Sequence, residues 1–145
     1  MRAVVQRVTR ADVIVDGSPI GAIGPGLCVL LAVTYDDDTD RARRMADKLW
    51  HLRILADDAG VMNRSASEGG AQILVVSQFT LYGDTSRGRR PSWVAAARPE
   101  QAEPLVEAVV GELRALGASV ATGRFGAYMQ LALVNDGPVT LIIDV

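Results

Sequence analysis

The 145-residue sequence predicts one β-rich α+β domain with two main helices and no internal repeat. Three observations point there. Hydrophobic residues make up 49% of the chain, enough for a single substantial core. Apolar runs of strand length recur near both ends, and two longer segments place apolar residues at helical spacing.

In chain order, Ala3-Val4-Val5-Gln6-Arg7-Val8 alternates in part, and Val13-Ile14-Val15 meets a turn at Asp16-Gly17-Ser18-Pro19, which predicts a hairpin. After Gly24-Pro25-Gly26, the apolar run over 27–33 predicts a central strand buried on both faces. The acidic cluster at 36–40 precedes Ala42, Met45, Leu49 and Leu52 at helical spacing, so its aspartates are expected at the N-cap and in the first turn. A turn at Asp57-Asp58-Ala59-Gly60 and a loop over 63–70 lead to a strand expected over 72–79, and then to a loop rich in glycine and arginine. Pro99-Glu100 opens a second helix. Its stripe of Ala102, Leu105, Val106, Val109, Val110, Leu113 and Leu116 ends at Gly117, and Pro104 is expected to bend or separate the first turn. A short strand over 119–121, a strand over 128–134, a tight turn at Asn135-Asp136-Gly137-Pro138 and a strand over 140–145 complete the chain.

Composition narrows the chemistry. The longest clear apolar run falls well short of the roughly 18 residues needed to cross a bilayer, so no membrane span is expected. Polar residues in Met1-Arg2-Ala3-Val4-Val5-Gln6-Arg7 stand where a signal peptide needs its apolar core, which makes a cytoplasmic protein the expectation. The one cysteine, Cys28, sits in an apolar stretch and reads as a buried core residue. With one cysteine and one histidine, His51, neither a Cys/His zinc site nor a conventional triad can be assembled within the chain. No metal or cofactor is expected. Any hydrolytic chemistry must come from carboxylates, hydroxyls, backbone groups or the substrate itself.

The net charge of −2 does not announce a nucleic-acid partner, but its distribution is uneven. Fourteen of the 15 basic residues are arginine, bunched in Arg41-Ala42-Arg43-Arg44 and Arg87-Gly88-Arg89-Arg90. Either bunch could hold an RNA backbone, and either could be a solvated surface.

Two segments interrupt apolar strands with polar residues: Ser77-Gln78-Phe79-Thr80-Leu81 and Asn135-Asp136-Gly137-Pro138-Val139-Thr140. A strand that ends in a loop exposes backbone N–H groups able to hold an oxyanion, though pattern alone reads the first segment as a structural strand end. Pattern alone likewise reads the second as a hairpin turn. Without a neighbouring histidine, Ser77 or Thr80 is a poorly activated nucleophile.

At these two motifs the chain resembles the D-aminoacyl-tRNA deacylase family. The likeness runs the whole length, through Val5-Gln6-Arg7-Val8, Gly88-Arg89-Arg90-Pro91-Ser92 and Thr122-Gly123-Arg124-Phe125; Trp93 stands where the family pattern leads one to expect Phe. The resemblance implies a single domain over residues 1–145 with a β-barrel-like, antiparallel-rich sheet, forming a homodimer whose sites lie at the subunit interface. It implies hydrolysis of D-aminoacyl-tRNA at its 3′ end, and of glycyl-tRNA mischarged on tRNA-Ala, as proofreading in translation. Gly137 and Pro138, joined by a cis bond, would form a chirality filter that admits a D-amino acid and collides with an L side chain. Catalysis would rest either on Thr80 as nucleophile or on the tRNA 2′-OH with donors around Ser77, Gln78 and Phe79; the absence of a base beside Thr80 favours the second. Phe125 would pack near the terminal adenine, and Met129 and Arg7 would support the Gly137-Pro138 turn. Two other readings stay open: a non-catalytic RNA-binding dimer, and a metallohydrolase built on the aspartates at 36–40.

Overall fold

The computed structural model describes residues 1–145. In chain order, β1 (Arg2–Val15), β2 (Ser18–Ile23) and β3 (Gly26–Ala32) precede α1 (Thr39–Trp50). Next come a small hairpin of β4 (Leu55–Ala56) and β5 (Met62–Arg64), the one-turn α2 (Ala66–Gly69) and β6 (Gln72–Ser77). A 3₁₀ turn (Phe79–Tyr82), α3 (Pro99–Ala115), β7 (Val120–Thr122) and β8 (Gln130–Asp144) follow.

β1 organises the sheet. The predicted hairpin forms, with Val13 opposite Gly21, and β3 then returns along the other half of β1, with Arg7 opposite Leu27. β2 and β3 therefore share one edge of β1 while β8 occupies the other. β6 runs parallel to β3, and β7 parallel to β6, so the sheet is mixed rather than wholly antiparallel. The ring nearly closes where β2 meets β7. A Cβ on Gly21 would stand 2.5 Å from the Thr122 carbonyl oxygen, an approach only glycine permits.

Alternation along the strands sorts the apolar residues into two cores. Val8, Val13, Ile23, Cys28, Leu74 and Val76 fill the barrel interior. Ala3, Val5, Leu27, Val29, Ile73 and Val75 face outward and are covered by α1 and α3. β3 contributes to both cores, which is why its run is uninterruptedly apolar. The helical spacings hold: α1 buries Ala42, Met45, Ala46 and Leu49, and α3 buries Ala102, Leu105, Val109, Val110 and Leu113. α3 runs unbroken through Pro104, so the expected separate first turn does not form.

Three of the four aspartates at 36–40 are consumed by structure. Asp38 caps α1, accepting the Arg41 N–H at 2.8 Å, an interaction that contributes about 1 kcal/mol. Asp37 is buried and accepts from the Met1 ammonium at 2.5 Å, the Thr34 N–H at 2.8 Å and the Arg41 guanidinium at 3.1 Å. Asp40 pairs with Arg43 at 2.8 Å.

Three local expectations are corrected. The loop at 63–70 contains α2, held by a capping box in which Ser65 and Glu68 serve each other. The strand expected over 72–79 stops at Ser77. Its last ladder bond runs from the Gln78 N–H to the Leu31 carbonyl at 2.8 Å, after which Leu81 bonds back to Gln78 and the chain coils. Asn135-Asp136-Gly137-Pro138 is not a hairpin turn. Leu133 pairs with Ala11 before it and Thr140 with Gln6 after it, both antiparallel to β1, so the chain never reverses. Asn135 still pairs with Val8, and residues 136–139 form a bulge, with register shifts between Gln6 and Val8 and between Val8 and Arg10 of β1.

Candidate active site

A cavity of about 620 Å³ opens where β6 ends, a size suited to a small ligand. Ser77, Gln78 and Phe79 form one wall, Leu31 and Val76 the floor, and Ala102 and Val106 of α3 the opposite side. Phe125 and Met129 enter from the segment between β7 and β8. Five of the sequence-predicted site residues are thereby brought together, although they come from two stretches some fifty residues apart in the chain. Phe125 also lines a smaller recess of about 380 Å³ between α3 and β7.

The electrostatics of the cavity are unusual for a hydrolytic site. Its lining contains no carboxylate, imidazole, thiol or amine; Arg98 is the only charged side chain, and Ser77, Tyr35 and Tyr128 supply the hydroxyls. Thr80 stands beside it on the 3₁₀ turn, and its hydroxyl oxygen accepts a hydrogen bond from the Gln78 amide. That bond occupies a lone pair on Thr80 and supplies no base. Tyr82, on the same turn, is pushed up to about 12 by burial and stays a neutral phenol. His51 caps the end of α1 away from the cavity, with Nδ1 3.0 Å from the Asp47 carbonyl.

Backbone donors remain. The Gln78 N–H is already bonded to Leu31, but the N–H groups that open the 3₁₀ turn, those of Phe79 and Thr80, precede any intrahelical acceptor. Phe79 lines the cavity wall and Thr80 follows it at the edge, where such donors can bind an oxyanion.

The Gly137-Pro138 turn is built differently. The bond is cis, as the resemblance implied, and Gly137 has φ +124°. A Cβ there would lie 2.9 Å from Val139 Cγ2 and 3.1 Å from Arg7 Nη2, so glycine is demanded twice over. Arg7 holds the turn from behind. Its Nε donates to the Asp136 carbonyl at 3.1 Å and pairs with the Asp136 carboxylate at 3.2 Å, while Nη1 donates to the Ile54 carbonyl at 2.7 Å. Asn135 adds a bond from Nδ2 to Gln6 Oε1 at 2.8 Å. The turn is exposed, and none of residues 135–138 lines the cavity of the same chain. Met129 lies in the cavity, against Gly123.

A family model described as D-Tyr-tRNA(Tyr) deacylase matches residues 4–144. The chain belongs to this family. Relatives named D-aminoacyl-tRNA deacylase include one from Streptomyces coelicolor, 58% identical over 146 residues and covering 100% of both chains. Another, from Nocardia farcinica, is 59% identical over 147 residues with 99% of each chain covered. Among solved structures, a c-Myc DNA unwinding element binding protein superposes with a TM-score of 0.95 at 40% identity, covering 100% of this chain and 99% of that one. A probable eukaryotic D-amino acid tRNA deacylase shares the fold, with a TM-score of 0.85 at 19% identity over 99% and 98%. The chain is thus a hydrolase of the D-aminoacyl-tRNA deacylase type with the α+β, barrel-like fold expected from its motifs. No helix in it is long and apolar enough to cross a membrane.

Sequence reasoning missed several lining residues. Ala102 and Val106 belong to the α3 stripe and read as ordinary core; only tertiary packing sends them to a cavity. Trp93 stands where the family pattern leads one to expect Phe. It packs edge to face on Phe79, with ring centroids 5.5 Å apart, and completes the cavity rim.

Proposed function

We propose that this chain hydrolyses the ester of D-aminoacyl-tRNA, and of glycyl-tRNA mischarged on tRNA-Ala, releasing free tRNA and the amino acid as a proofreading step in translation. The observation that carries the reading is a ligand-sized cavity with backbone donors on its wall and no side chain able to act as general base. Such a site suits a substrate that is already activated and brings its own hydroxyl. An aminoacyl ester meets both conditions.

In this mechanism the terminal adenosine enters the cavity and its adenine packs on Phe125. The ester carbonyl oxygen points at the N–H groups of Phe79 and Thr80, and each well-aimed donor of this kind contributes roughly 3 kcal/mol to the transition state. Water adds to the carbonyl carbon, its proton leaving through the 2′-OH. The ester C–O bond breaks, the 3′ oxygen takes a proton, and the amino acid departs as its carboxylate. Ser77, Gln78 and Thr80 shape the wall and orient the ester rather than attack it.

Selectivity requires a second wall, which the exposed Gly137-Pro138 turn can supply from another copy of the chain. In the homodimer we infer, each subunit's turn enters the other's cavity and its rigid carbonyls face the α-carbon of the amino acid. A hydrogen fits there, so D-amino acids and glycine pass; an L side chain collides. Met129, on the cavity side, would then meet the turn of the second subunit.

The test is release of free D-tyrosine from D-Tyr-tRNA under multiple turnover with EDTA present. Catalytic release supports the reading. Release that never exceeds the enzyme concentration would leave a non-catalytic RNA-binding protein, and inhibition by EDTA would return the reaction to a metal.

A further inference from the structure

Two arginine bunches look alike in the sequence and differ in their surroundings. On α1, Arg41 pairs with Asp37 at 3.1 Å, and Arg43 pairs with both Asp40 at 2.8 Å and Glu112 at 3.4 Å. Arg87, Arg89 and Arg90 stand on an exposed loop and make no ion pair or side-chain hydrogen bond. The nearest acid in sequence, Asp84, is occupied inside the loop, accepting the Ser86 N–H at 2.8 Å. Asp84 and Ser92 close the loop's neck with two backbone bonds of 2.8 Å.

The residue after that neck is Trp93, which packs on Phe79 at the cavity rim. The loop is therefore anchored directly to the mouth of the cavity. Arg98, which lines the cavity, and Arg124, next to Phe125, are also exposed and unpaired. A chain of net charge −2 thus gathers uncompensated positive charge, interleaved with exposed aromatics, around one opening. Guanidinium groups with free donors beside aromatic faces suit a single-stranded polynucleotide, whose phosphates take the charge and whose bases stack.

We infer that Arg87, Arg89 and Arg90 clamp the phosphates of the single-stranded 3′ segment of tRNA while its terminal nucleotide occupies the cavity. This deepens the function proposed above and rests on it for the identity of the RNA. The loop is a binding element rather than a catalytic one, and it acts on the backbone, so it is indifferent to the amino acid carried.

The experiment compares binding of uncharged tRNA to the wild-type chain and to the Arg87→Gln/Arg89→Gln/Arg90→Gln variant across about 50–200 mM salt, with thermal melting confirming the fold. Each single-strand phosphate contact contributes about 0.7 to the slope of log affinity against log salt, so the variant's slope should be shallower by about 2, with affinity at low salt reduced at least about tenfold. The control Arg43→Gln/Arg44→Gln should leave the slope unchanged. With a tRNA shortened by its unpaired 3′ nucleotides, the loop variant and wild type should bind alike. An unchanged slope in the loop variant, an equal loss in the α1 control, or the same loss on the shortened tRNA would each overturn the inference. If binding behaves as expected but no amino acid is released catalytically, the clamp stands and the hydrolytic reading falls.

Discussion

The cavity and the Gly137-Pro138 turn are both places where a strand stops behaving as one, and they are built in opposite ways. At the end of β6 the chain leaves the ladder after the Gln78–Leu31 bond and coils, which creates a recess with unused donors. In the middle of β8 the ladder continues on both sides, and four residues bulge to the surface, held from behind by Arg7 and Asn135. One is concave and apolar, the other exposed and rigidly anchored. The recess has donors but nothing that discriminates handedness; the bulge has fixed geometry but no ligand space within its own chain. On the function proposed above, binding and selectivity are carried by separate pieces of backbone, which can be broken separately.

The largest expected effect comes from the substrate side. D-Tyr-tRNA ending in 2′-deoxyadenosine should be cleaved at least about 100-fold more slowly, the lower range for a lost proton-transfer group, as read by single-turnover kinetics. Equal rates would place the nucleophile on the protein, with Thr80 the first candidate. Next is Gly137→Ala. The new Cβ collides with Val139 and Arg7, and the shift it forces, on the order of 1–3 kcal/mol, should lower the preference for D- over L-Tyr-tRNA about tenfold or more while circular dichroism stays unchanged. A variant that keeps full selectivity would remove the turn from the account.

Arg7→Leu keeps the apolar stem and deletes the bonds to Asp136 and Ile54. Denaturant melts should show a loss of about 1–3 kcal/mol, accompanied by weaker D/L discrimination. Stability lost with selectivity intact would mean that Arg7 anchors the fold and not the filter. Thr80→Ala, on the cavity side, should retain activity within about tenfold, the loss of one neutral hydrogen bond, and complete inactivity in a folded variant would contradict the base-free mechanism.

The smallest effect lies in the barrel interior. Burial pushes the Cys28 thiol up to about 11 from a usual value of 9.0. Because the folded value is the higher one, the native state holds this proton longer. Its stabilising contribution is therefore complete below about pH 9 and is lost as pH rises through 11. Native protein at pH 8 should resist a thiol reagent and react only on unfolding; rapid native labelling would show that the barrel opens.

The helices and the first hairpin were legible because their signals are local: Ala42, Met45 and Leu49 on one face of α1, and Asp16-Gly17 between two strands. Asn135-Asp136-Gly137-Pro138 misled for the same reason. Its composition is that of a turn, and composition does not record whether the chain reverses or bulges; pairing of both flanks with β1 decides that, more than a hundred residues away. Ser77–Thr80, Phe125 and Met129 could be named from motifs, whereas Ala102 and Val106 could not, since a helix stripe facing a cavity reads like one facing a core. The two arginine bunches were indistinguishable until their acidic neighbours were placed.

The central claim, that the turn of one subunit serves the cavity of another, is tested most directly by mixing two variants. Ala102→Phe fills the cavity and should abolish hydrolysis while leaving its turn intact; Gly137→Ala keeps a working cavity with an unselective turn. When a limiting amount of the second is mixed with an excess of the first, nearly every working cavity faces an intact turn from its partner. The account predicts that hydrolysis of L-Tyr-tRNA then falls while hydrolysis of D-Tyr-tRNA persists. L-Tyr-tRNA hydrolysis unchanged by mixing would contradict it, and would return the filter to the subunit that holds the substrate.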